Sequence, residues 1–441
     1  MALKLVKTTK GYVSGVEMEG YTIYKGVPYA KPPVGELRFK PPVETEPWAG
    51  VLQAEHFSNR SMQFQQSGFY KKEFYDTQES MTPMDEDSLY LNIWTPANAE
   101  DEKLPVAFWI HGGAFINGFG HEKEFDGENY CKKGVILVTI NYRLGAFGFL
   151  VHPWLIAENE KGLAGNYGIR DQIAALKWVY ENIEAFGGNR ENITVMGQSA
   201  GCMSVQTLIS SELTKGMIAK AILQSGGGYE CELSYDLSME EAIKVGERFV
   251  ELCGAESLQE LRDLSKEKIQ LATGKIHEYF EREGLGLRFI PVIDRDVLEA
   301  GHNELARKGA IQDIPYMIGS TKNDILCTPE QIEKGEHSSL YRSCVKWSLL
   351  LEELGRKPAY VYFFTRDLPG DDAGAFHSAE LWYMFGTLDK SWRPKEAHDY
   401  KLSNDMIEAW TNFMKAGNPD SGQKEKWLPC RKDNLFVKEF H

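Results

Sequence analysis

The sequence predicts an α/β fold with a mainly parallel central sheet, and two observations carry this prediction. Continuous apolar runs recur along the chain, and a parallel strand that is buried on both faces has such a sequence. Stretches with apolar residues near every 3.6 positions lie between several of these runs, as expected of helices that connect parallel strands. The apolar runs are at 105–110, 134–141, 219–224, 314–319 and 359–364.

The N-terminal part of the chain has a different pattern. Residues 4–30 alternate between apolar and polar side chains around several glycines, which predicts an antiparallel hairpin of strands and turns. The proline-rich stretch 26–35 predicts an extended path along the surface. Residues 60–86 are polar and aromatic, and we interpret them as a long loop that either forms a wall or lid of a binding site or packs against the domain body. The aromatic residues of this loop are Phe64, Phe69, Tyr70, Phe74 and Tyr75.

Helical patterns occupy much of the remaining sequence. One helix is predicted over 169–186, and two consecutive glycines at 187 and 188 end it. Residues 239–273 contain two charged amphipathic patterns, so we expect a small peripheral helical cap over 239–285. A last helix is predicted over about 398–415. Since no internal repeat or linker separates these regions, the sequence predicts a single domain over 1–441.

Composition limits the classes of binding partner and the cellular compartments that are expected for this protein. The formal net charge of −15 disfavours nucleic acid and anionic membranes as partners, because both are polyanionic. Seven scattered cysteines without a C-x-x-C pair favour free thiols in a reducing compartment. The first residues become polar too soon for a signal peptide, and no apolar run is long enough to span a membrane. We therefore expect a cytoplasmic protein; its oligomeric state is unknown from the sequence.

The chemistry of the chain begins at residues 197–201, where Gly-Gln-Ser-Ala-Gly matches the G-x-S-x-G pattern of a nucleophile elbow. Gly197 and Gly201 permit a sharp turn between a strand and a helix, because residues that flank the serine there have no room for side chains. Ser199 would then lie at the N-terminus of a helix, where negative charge is stabilised. Five residues also match by chance, in which case Ser199 is an ordinary turn serine.

A nucleophilic serine also needs hydrogen-bond donors for the oxyanion, a base and an oriented carboxylate. Gly112 and Gly113 follow the apolar run 105–110, so their N–H groups are candidates for the oxyanion hole, together with the N–H of Ala200. His111 precedes the nucleophile and is more consistent with a structural role. The alternative for this segment is a plain glycine turn after a strand.

The acid and the base are less tightly specified by position. Asp324 lies just beyond a core strand, but position alone does not separate it from Asp313 or Asp294. In folds that contain the elbow the chain order is serine, acid, histidine. His377 follows a glycine-containing loop and is the preferred base, with a surface histidine as the alternative reading. The other histidines that follow Asp324 are His337, His398 and His441.

Taken together, these segments resemble the type-B carboxylesterase family, which includes cholinesterases and para-nitrobenzyl esterases. The resemblance runs nearly from end to end and implies an α/β-hydrolase fold, with Ser199 as nucleophile, Asp324 as acid and His377 as base. The chain has no H-E-x-x-H metal motif, and the chemistry needs no metal or cofactor. The matching segments are 26–30, 86–94, 111–115, 141–145, 165–168, 171–172, 186–189, 197–201, 224–226, 322–324 and 377–381.

The chain departs from the family pattern at several points. Ser88 stands where the family often has a cysteine, so the disulfide formed there in other members is not expected. Asp324 replaces a glutamate common in the family, Ile325 the glycine that usually follows it, and Gln198 the glutamate common in animal members. The segment between Asp324 and His377 is also short, which implies a more open cleft.

The resemblance implies a serine esterase that transfers an acyl group to water, and we expect short-acyl or aryl esters as substrates. Two alternatives are a catalytically silent binding or adhesion module of the same fold and an amidase, lactonase or lipase variant. The candidate substrate-binding side chains, each of which is equally consistent with the hydrophobic core, are Phe115, Met203, Trp382 and Phe385.

Overall fold

The computed structural model describes residues 3–76, 81–233, 236–420 and 426–441. Within them, ten strands form one large mixed sheet and three more form a small N-terminal sheet. The strands are β1 (Leu5–Lys7), β2 (Tyr12–Ser14), β3 (Val16–Met18), β4 (Tyr21–Pro28), β5 (Val51–Gln53), β6 (Tyr90–Thr95), β7 (Leu104–Ile110), β8 (Ile136–Ile140), β9 (Gly188–Gln198), β10 (Lys220–Gln224), β11 (Leu237–Ser238), β12 (Val292–Ile293), β13 (Tyr316–Thr321), β14 (Tyr360–Phe364) and β15 (Lys438–Phe440).

The large sheet has the strand order β15-β14-β13-β10-β9-β7-β8-β6-β4-β3. All pairs from β15 to β8 are parallel, and the pairs from β8 to β3 are antiparallel. The prediction of an α/β fold with a mostly parallel sheet is therefore confirmed. Each of the five apolar runs contains one strand, and all five of these strands are parallel to a neighbour.

The sheet is buried on both faces because successive side chains of a strand point to opposite sides. In β7, Phe108 belongs to one hydrophobic layer and Trp109 to the other, and both are fully buried. Helices cover the two layers. They are α1 (Gly68–Phe74), α2 (Glu128–Lys132), α3 (Gly145–Phe149), α4 (Pro153–Glu158), α5 (Tyr167–Asn182), α6 (Ala200–Ile209), α7 (Met239–Cys253), α8 (Leu258–Asp263), α9 (Lys266–Arg282), α10 (His302–Arg307), α11 (Pro329–Lys334), α12 (Ser339–Glu353), α13 (Leu381–Met384) and α14 (Ala397–Ala416).

The N-terminal segment contains the antiparallel pairs expected for residues 4–30. Strand β1 pairs with β2 in the small sheet, and β3 pairs with β4 at the edge of the large sheet. A third strand, β5, joins the small sheet parallel to β2. Antiparallel pairing there follows from the short turns between the strands, since parallel strands need a long crossover.

The predicted helices are present with small differences in extent. Helix α5 is followed by a 3₁₀ turn, Ile183–Phe186, and Gly187 ends it in the left-handed conformation. Helix α14 begins one residue before the predicted start and ends at Gly417. The segment predicted as a cap contains α7, α8 and α9, three helices where two patterns were visible, because Gly254 ends α7 and Ser257 caps α8.

The stretch 60–86 is not a continuous loop, because α1 forms within it; residues 77–80 lie outside the described residues. Phe74 of α1 stacks on Trp382, with ring centroids 5.3 Å apart, so packing against the domain holds this short helix in place. Within the described parts of the chain, every helix is too short or too polar to cross a lipid bilayer. None of the seven cysteines, which all lie in the described residues, forms a disulfide.

Candidate active site

Ser199 lies on the turn between β9 and α6, with φ 57° and ψ −124°. This strained backbone persists because the surroundings of the turn are closely packed. A Cβ atom at Gly201 would lie 2.1 Å from the carbonyl oxygen of Ile110, and one at Gly197 would lie 2.5 Å from the carbonyl carbon of Gly201. Both glycines of the sequence motif are thus required by contact with neighbouring backbone.

A cavity of about 210 Å³ opens at Ser199. Its floor contains the serine, Gly112 and Gly113, and His377 lies in the wall beside them. The opposite wall is aromatic and comes largely from α1 and the residue that follows it. The aromatic residues of the cavity are Tyr70, Phe74, Tyr75 and Phe125.

Asp324 is buried in the turn that follows β13. Its carboxylate accepts hydrogen bonds from the N–H of Thr321 at 2.9 Å, the N–H of Ile325 at 2.9 Å and the hydroxyl of Ser225 at 2.7 Å. Burial opposes ionisation, but the charge and hydrogen bond of His377, with those backbone and hydroxyl donors, lower the pKa of Asp324 below its ordinary value. The carboxylate is therefore held ionised.

The Nδ1 atom of His377 lies 2.5 Å from Oδ1 of Asp324, a short charge-assisted hydrogen bond. The loop that carries His377 is fixed to the acid turn by two hydrogen bonds. The N–H of Asn323 donates to the carbonyl of Ala375 at 2.9 Å, and the N–H of Ala375 donates to Oδ1 of Asn323 at 3.0 Å. This pairing helps to bring Asp324 and His377, which are 53 positions apart in the chain, together.

The alternative acids and bases lie elsewhere. Asp313 precedes β13, at the opposite end of that strand from Asp324, and Asp294 pairs with Arg170 at 3.3 Å. His337 stacks on Tyr341. The remaining histidines form a C-terminal contact in which Nε2 of His398 lies 2.7 Å from the carbonyl oxygen of His441.

The second nitrogen of the His377 ring faces Gln198. Nε2 of His377 lies 3.1 Å from the side-chain amide nitrogen of Gln198. Because Nδ1–H donates to Asp324, Nε2 carries the free lone pair, and the amide of Gln198 donates to it. In this tautomer the imidazole is able to accept a proton at Nε2.

The three N–H groups predicted to form the oxyanion hole have no partner in the part of the protein that the structure describes. Among the described residues, no acceptor is hydrogen-bonded to the N–H of Gly112, Gly113 or Ala200. Gly113 has φ 99°, and a Cβ there would lie 2.2 Å from the carbonyl of Asn117. Ala200 is the first residue of α6, where N–H groups lack helical partners.

His111 supports this loop and does not reach the nucleophile. Its ring stacks on Tyr142 with centroids 4.4 Å apart, and Nδ1 lies 2.8 Å from the carbonyl oxygen of Gly112. Burial lowers the pKa of His111 to about 4, so the ring is neutral at physiological pH. This agrees with the structural role expected from its position in the sequence.

Of the side chains predicted to form substrate walls, none lines the Ser199 cavity. Phe115 and Met203 border a separate cavity of about 20 Å³. Trp382 is buried and donates its indole N–H to Glu73 at 2.9 Å, and Phe385 packs against Trp109. Position near a motif therefore failed as a guide, because these side chains point into the core and not toward the serine.

Sequence reasoning gave no role to several residues that shape the site. In the sequence, Ser225 was identifiable only as a serine that follows a core strand. Glu122 and Glu124 belong to a charged stretch, 121–124, that has the sequence of a solvated loop, yet both line the cavity. In the described part of the chain, no three His, Cys, Asp or Glu side chains converge as a metal site.

Comparison with known proteins identifies the family. The model of the carboxylesterase family matches residues 2–352 and 337–440. The para-nitrobenzyl esterase of Bacillus subtilis (strain 168) is 33% identical, over 96% of this chain and 91% of its own length. The fumonisin B1 esterase of Sphingopyxis macrogoltabida is 31% identical, over 96% of this chain and 84% of its own length.

Solved structures agree with these relatives. A PNB esterase structure superposes with a TM-score of 0.86 at 29% identity and covers 99% of this chain and 96% of that chain. A thermophilic PNB esterase gives the same TM-score at 30% identity, with the same coverage of both chains. With the family model spanning nearly the whole sequence and the sheet and elbow in place, the chain belongs to the carboxylesterase family, a carboxylic ester hydrolase on the α/β-hydrolase fold.

Proposed function

We propose that this carboxylesterase cleaves esters by acyl transfer to Ser199, with His377 as the base and Asp324 as the acid that orients it. The observation that carries the proposal is the 2.5 Å hydrogen bond from Nδ1 of His377 to Asp324. It leaves the lone pair of Nε2 on the side of the ring that borders the same cavity as Ser199. A carboxylate–imidazole–hydroxyl arrangement of this kind activates a serine.

In this mechanism, Nε2 of His377 exchanges its hydrogen bond with Gln198 for one with the Ser199 hydroxyl as the ester enters. The serine oxygen attacks the ester carbonyl while His377 takes its proton. The N–H groups of Gly112, Gly113 and Ala200 stabilise the oxyanion, and a single donor of this type is worth about 3 kcal/mol. His377 then protonates the leaving alcohol and afterwards activates the water that hydrolyses the acyl-enzyme.

We further propose short-acyl or aryl esters as substrates. The cavity of about 210 Å³ is smaller than the sites that enclose drug-sized ligands. Tyr70, Phe74 and Tyr75 supply aromatic surface against which an aryl group or a short alkyl chain packs. The name of the para-nitrobenzyl esterase relative, which describes an aryl-containing ester, is consistent with this assignment.

The test combines a nucleophile variant with a substrate panel. Ser199→Ala is expected to lose ester hydrolysis and covalent labelling by a fluorophosphonate, while Ser210→Ala, at the end of the same helix, keeps both. The panel contains acetyl, butyryl, long-chain, aryl and sugar esters with a matched amide and a lactone. Wild-type activity in Ser199→Ala contradicts the serine mechanism, and faster cleavage of the amide, lactone or long-chain ester contradicts the substrate class.

A cytoplasmic location is part of the same proposal. Its support is that none of the seven cysteines, all within the described parts of the chain, forms a disulfide and six of them are buried, as is usual for proteins of a reducing compartment. Alkylation of the denatured protein from its native cells, followed by mass spectrometry, is expected to find seven free thiols in the cytosolic fraction. A stable disulfide, or recovery from a secreted fraction, contradicts the location.

A further inference from the structure

Two carboxyl groups lie in the wall of the Ser199 cavity without a catalytic role. Glu122 and Glu124 both border the cavity, and their side chains are 6% and 1% exposed. Burying a carboxyl group is costly unless it is paired. The burial of two such groups side by side in this cavity therefore needs a physical explanation.

The protein itself only partly satisfies this pair. Oε1 of Glu122 accepts hydrogen bonds from the N–H of Phe119 at 2.9 Å and from the hydroxyl of Tyr75 at 3.0 Å. Oε2 of Glu124 is fully buried and has no hydrogen-bond partner among the described residues. Within the same residues, Oδ1 of Asn117, which also borders the cavity, is buried without a partner.

The charges of Arg60 and Lys123 oppose the raised pKa values of Glu122 and Glu124, but neither cation forms an ion pair with them. Arg60 directs its guanidinium to the carbonyl of Thr82 at 2.7 Å and to the sulfur of Met81 at 3.5 Å. Lys123, between the two glutamates, forms an ion pair with Asp76. No Lys, Arg or His of the described chain forms an ion pair with Glu122 or Glu124.

Burial also makes ionisation of both carboxyl groups costly. Burial raises the pKa of Glu122 to about 7. Burial and the charge of Glu122 raise the pKa of Glu124 well above its ordinary value, and the two side chains are hydrogen-bonded to each other. The cavity therefore presents a carboxyl–carboxylate acceptor beside the aromatic rings of Tyr75 and Phe125.

We propose that the Glu122–Glu124 pair recognises a protonated amine on the acyl or alcohol part of the ester substrate. An ammonium group supplies N–H donors to the unpartnered oxygens and a positive charge to the carboxylate, and aromatic faces also attract cations. A neutral alkyl group supplies neither, and it leaves the buried acceptors unsatisfied. The inference rests on the proposed function, since it names the substrate class of the same cavity.

The experiment compares isosteric esters in a pH-stat assay at neutral pH. On the alcohol side, 2-(dimethylamino)ethyl butyrate is compared with 3-methylbutyl butyrate; on the acyl side, methyl 4-(dimethylamino)butanoate is compared with methyl 5-methylhexanoate. The readout is the ratio of kcat/KM for the ammonium ester to kcat/KM for the neutral ester. We expect a ratio of about 10 or more on one side, equivalent to about 1.4 kcal/mol.

Glu122→Gln and Glu124→Gln are each expected to lower that ratio about fivefold or more. Glu128→Gln is the matched control, because it removes the same charge from an exposed residue of α2 that pairs with Lys132. It is expected to leave the ratio unchanged. Turnover of the neutral ester by each variant shows that the protein is folded, and the wild-type ratio is informative even if one variant does not fold.

Several results overturn the inference. A wild-type ratio near or below 1 on both sides does so, as does a ratio that neither glutamine variant changes. Preference for 3-hydroxypropyl butyrate over the ammonium esters assigns the pair to hydroxyl recognition and contradicts amine recognition. Failure of the proposed function gives a different result, since wild-type protein then hydrolyses neither neutral nor charged esters.

Discussion

At the scale of single residues, the contact between Gln198 and His377 sets the resting state of the base. The amide of Gln198 lies 3.1 Å from Nε2 and is neutral, so it neither favours nor opposes protonation of the ring by charge. A carboxylate at that position would stabilise the imidazolium form, which is unable to accept the serine proton. The residue beside the nucleophile therefore tunes the pH range of activity.

Gln198→Glu is accordingly expected to move the acid limb of the kcat/KM profile to higher pH. The shift follows because more of the imidazole stays protonated at a given pH when a negative charge faces it. The measurement is kcat/KM for a neutral aryl ester from pH 5 to 9, with Gln312→Glu, remote from the cavity, as the control. An unchanged acid limb, or one displaced to lower pH, contradicts this role for Gln198.

At the scale of secondary-structure elements, the elbow depends on close backbone contact between β7, β9 and α6. Gly201 has an ordinary helical backbone conformation, which any residue adopts. A side chain at this position is therefore disfavoured only by steric clash. The obstacle is the Ile110 carbonyl, 2.1 Å from the position of a Cβ. Neither backbone is able to move without displacing a central strand, so the clash is not relieved by a small shift of the structure.

Gly201→Ala is therefore expected to lower the free energy of unfolding by about 3 kcal/mol, the upper part of the range for overpacked sites. Gly134→Ala is the matched control. Gly134 has φ 72° and no atom within 4 Å of an added Cβ, so its replacement costs only backbone strain of about 1 kcal/mol. Urea unfolding measures both variants, and equal losses for the two contradict the steric account.

The elements also show why some predictions from sequence succeeded. The strands β7, β8, β10, β13 and β14 were predictable because burial on both faces leaves a continuous apolar run. Helix α1 was not predictable, because it is short, begins at Gly68 without a side-chain cap, and is held by Phe74 on Trp382. Its existence depends on residues more than 300 positions away along the chain, which no local pattern reports.

In the candidate site, too, some features were predictable from the sequence and others were not. The proposed triad of Ser199, Asp324 and His377 came from the family resemblance, and position in the sequence alone did not separate Asp324 from other aspartates. The direction of individual side chains was not accessible, so Phe115 and Met203 were assigned to the wrong cavity. Glu122 and Glu124 were missed since charged residues in a loop are ordinarily solvated, and only the packing around them shows burial.

At the scale of the whole molecule, several buried acids near the active site oppose stability at neutral pH. Glu380 is fully buried, and Gln224 donates a long hydrogen bond of 3.4 Å to its Oε1 atom. Burial and then the charge of Asp324 raise the pKa of Glu380 to about 7. Glu122 behaves similarly, with burial as the main cause. These acids are more protonated in the native state than in the unfolded chain.

The sign of the effect on stability follows from proton binding. Between the ordinary glutamate pKa of 4.5 and about 7, the native protein binds more protons at Glu380 than the unfolded chain does. The free energy of unfolding therefore falls as pH rises through that window, by up to about 1.4 kcal/mol per pH unit for one such group. Above pH 7 both states are ionised at this residue, and its contribution no longer changes.

Glu380→Gln removes this titration while keeping an oxygen that accepts from Gln224. The variant is expected to be more stable than the wild type at pH 7.5, by about 3 kcal/mol on the linkage scale, and similar to it at pH 4.5. Urea unfolding at half-unit pH intervals measures the difference, with Glu128→Gln as an exposed control that shows no pH-dependent gain. A difference that is constant across pH would assign the effect to packing, and a variant less stable at pH 7.5 would show that the buried carboxylate is stabilised by its surroundings.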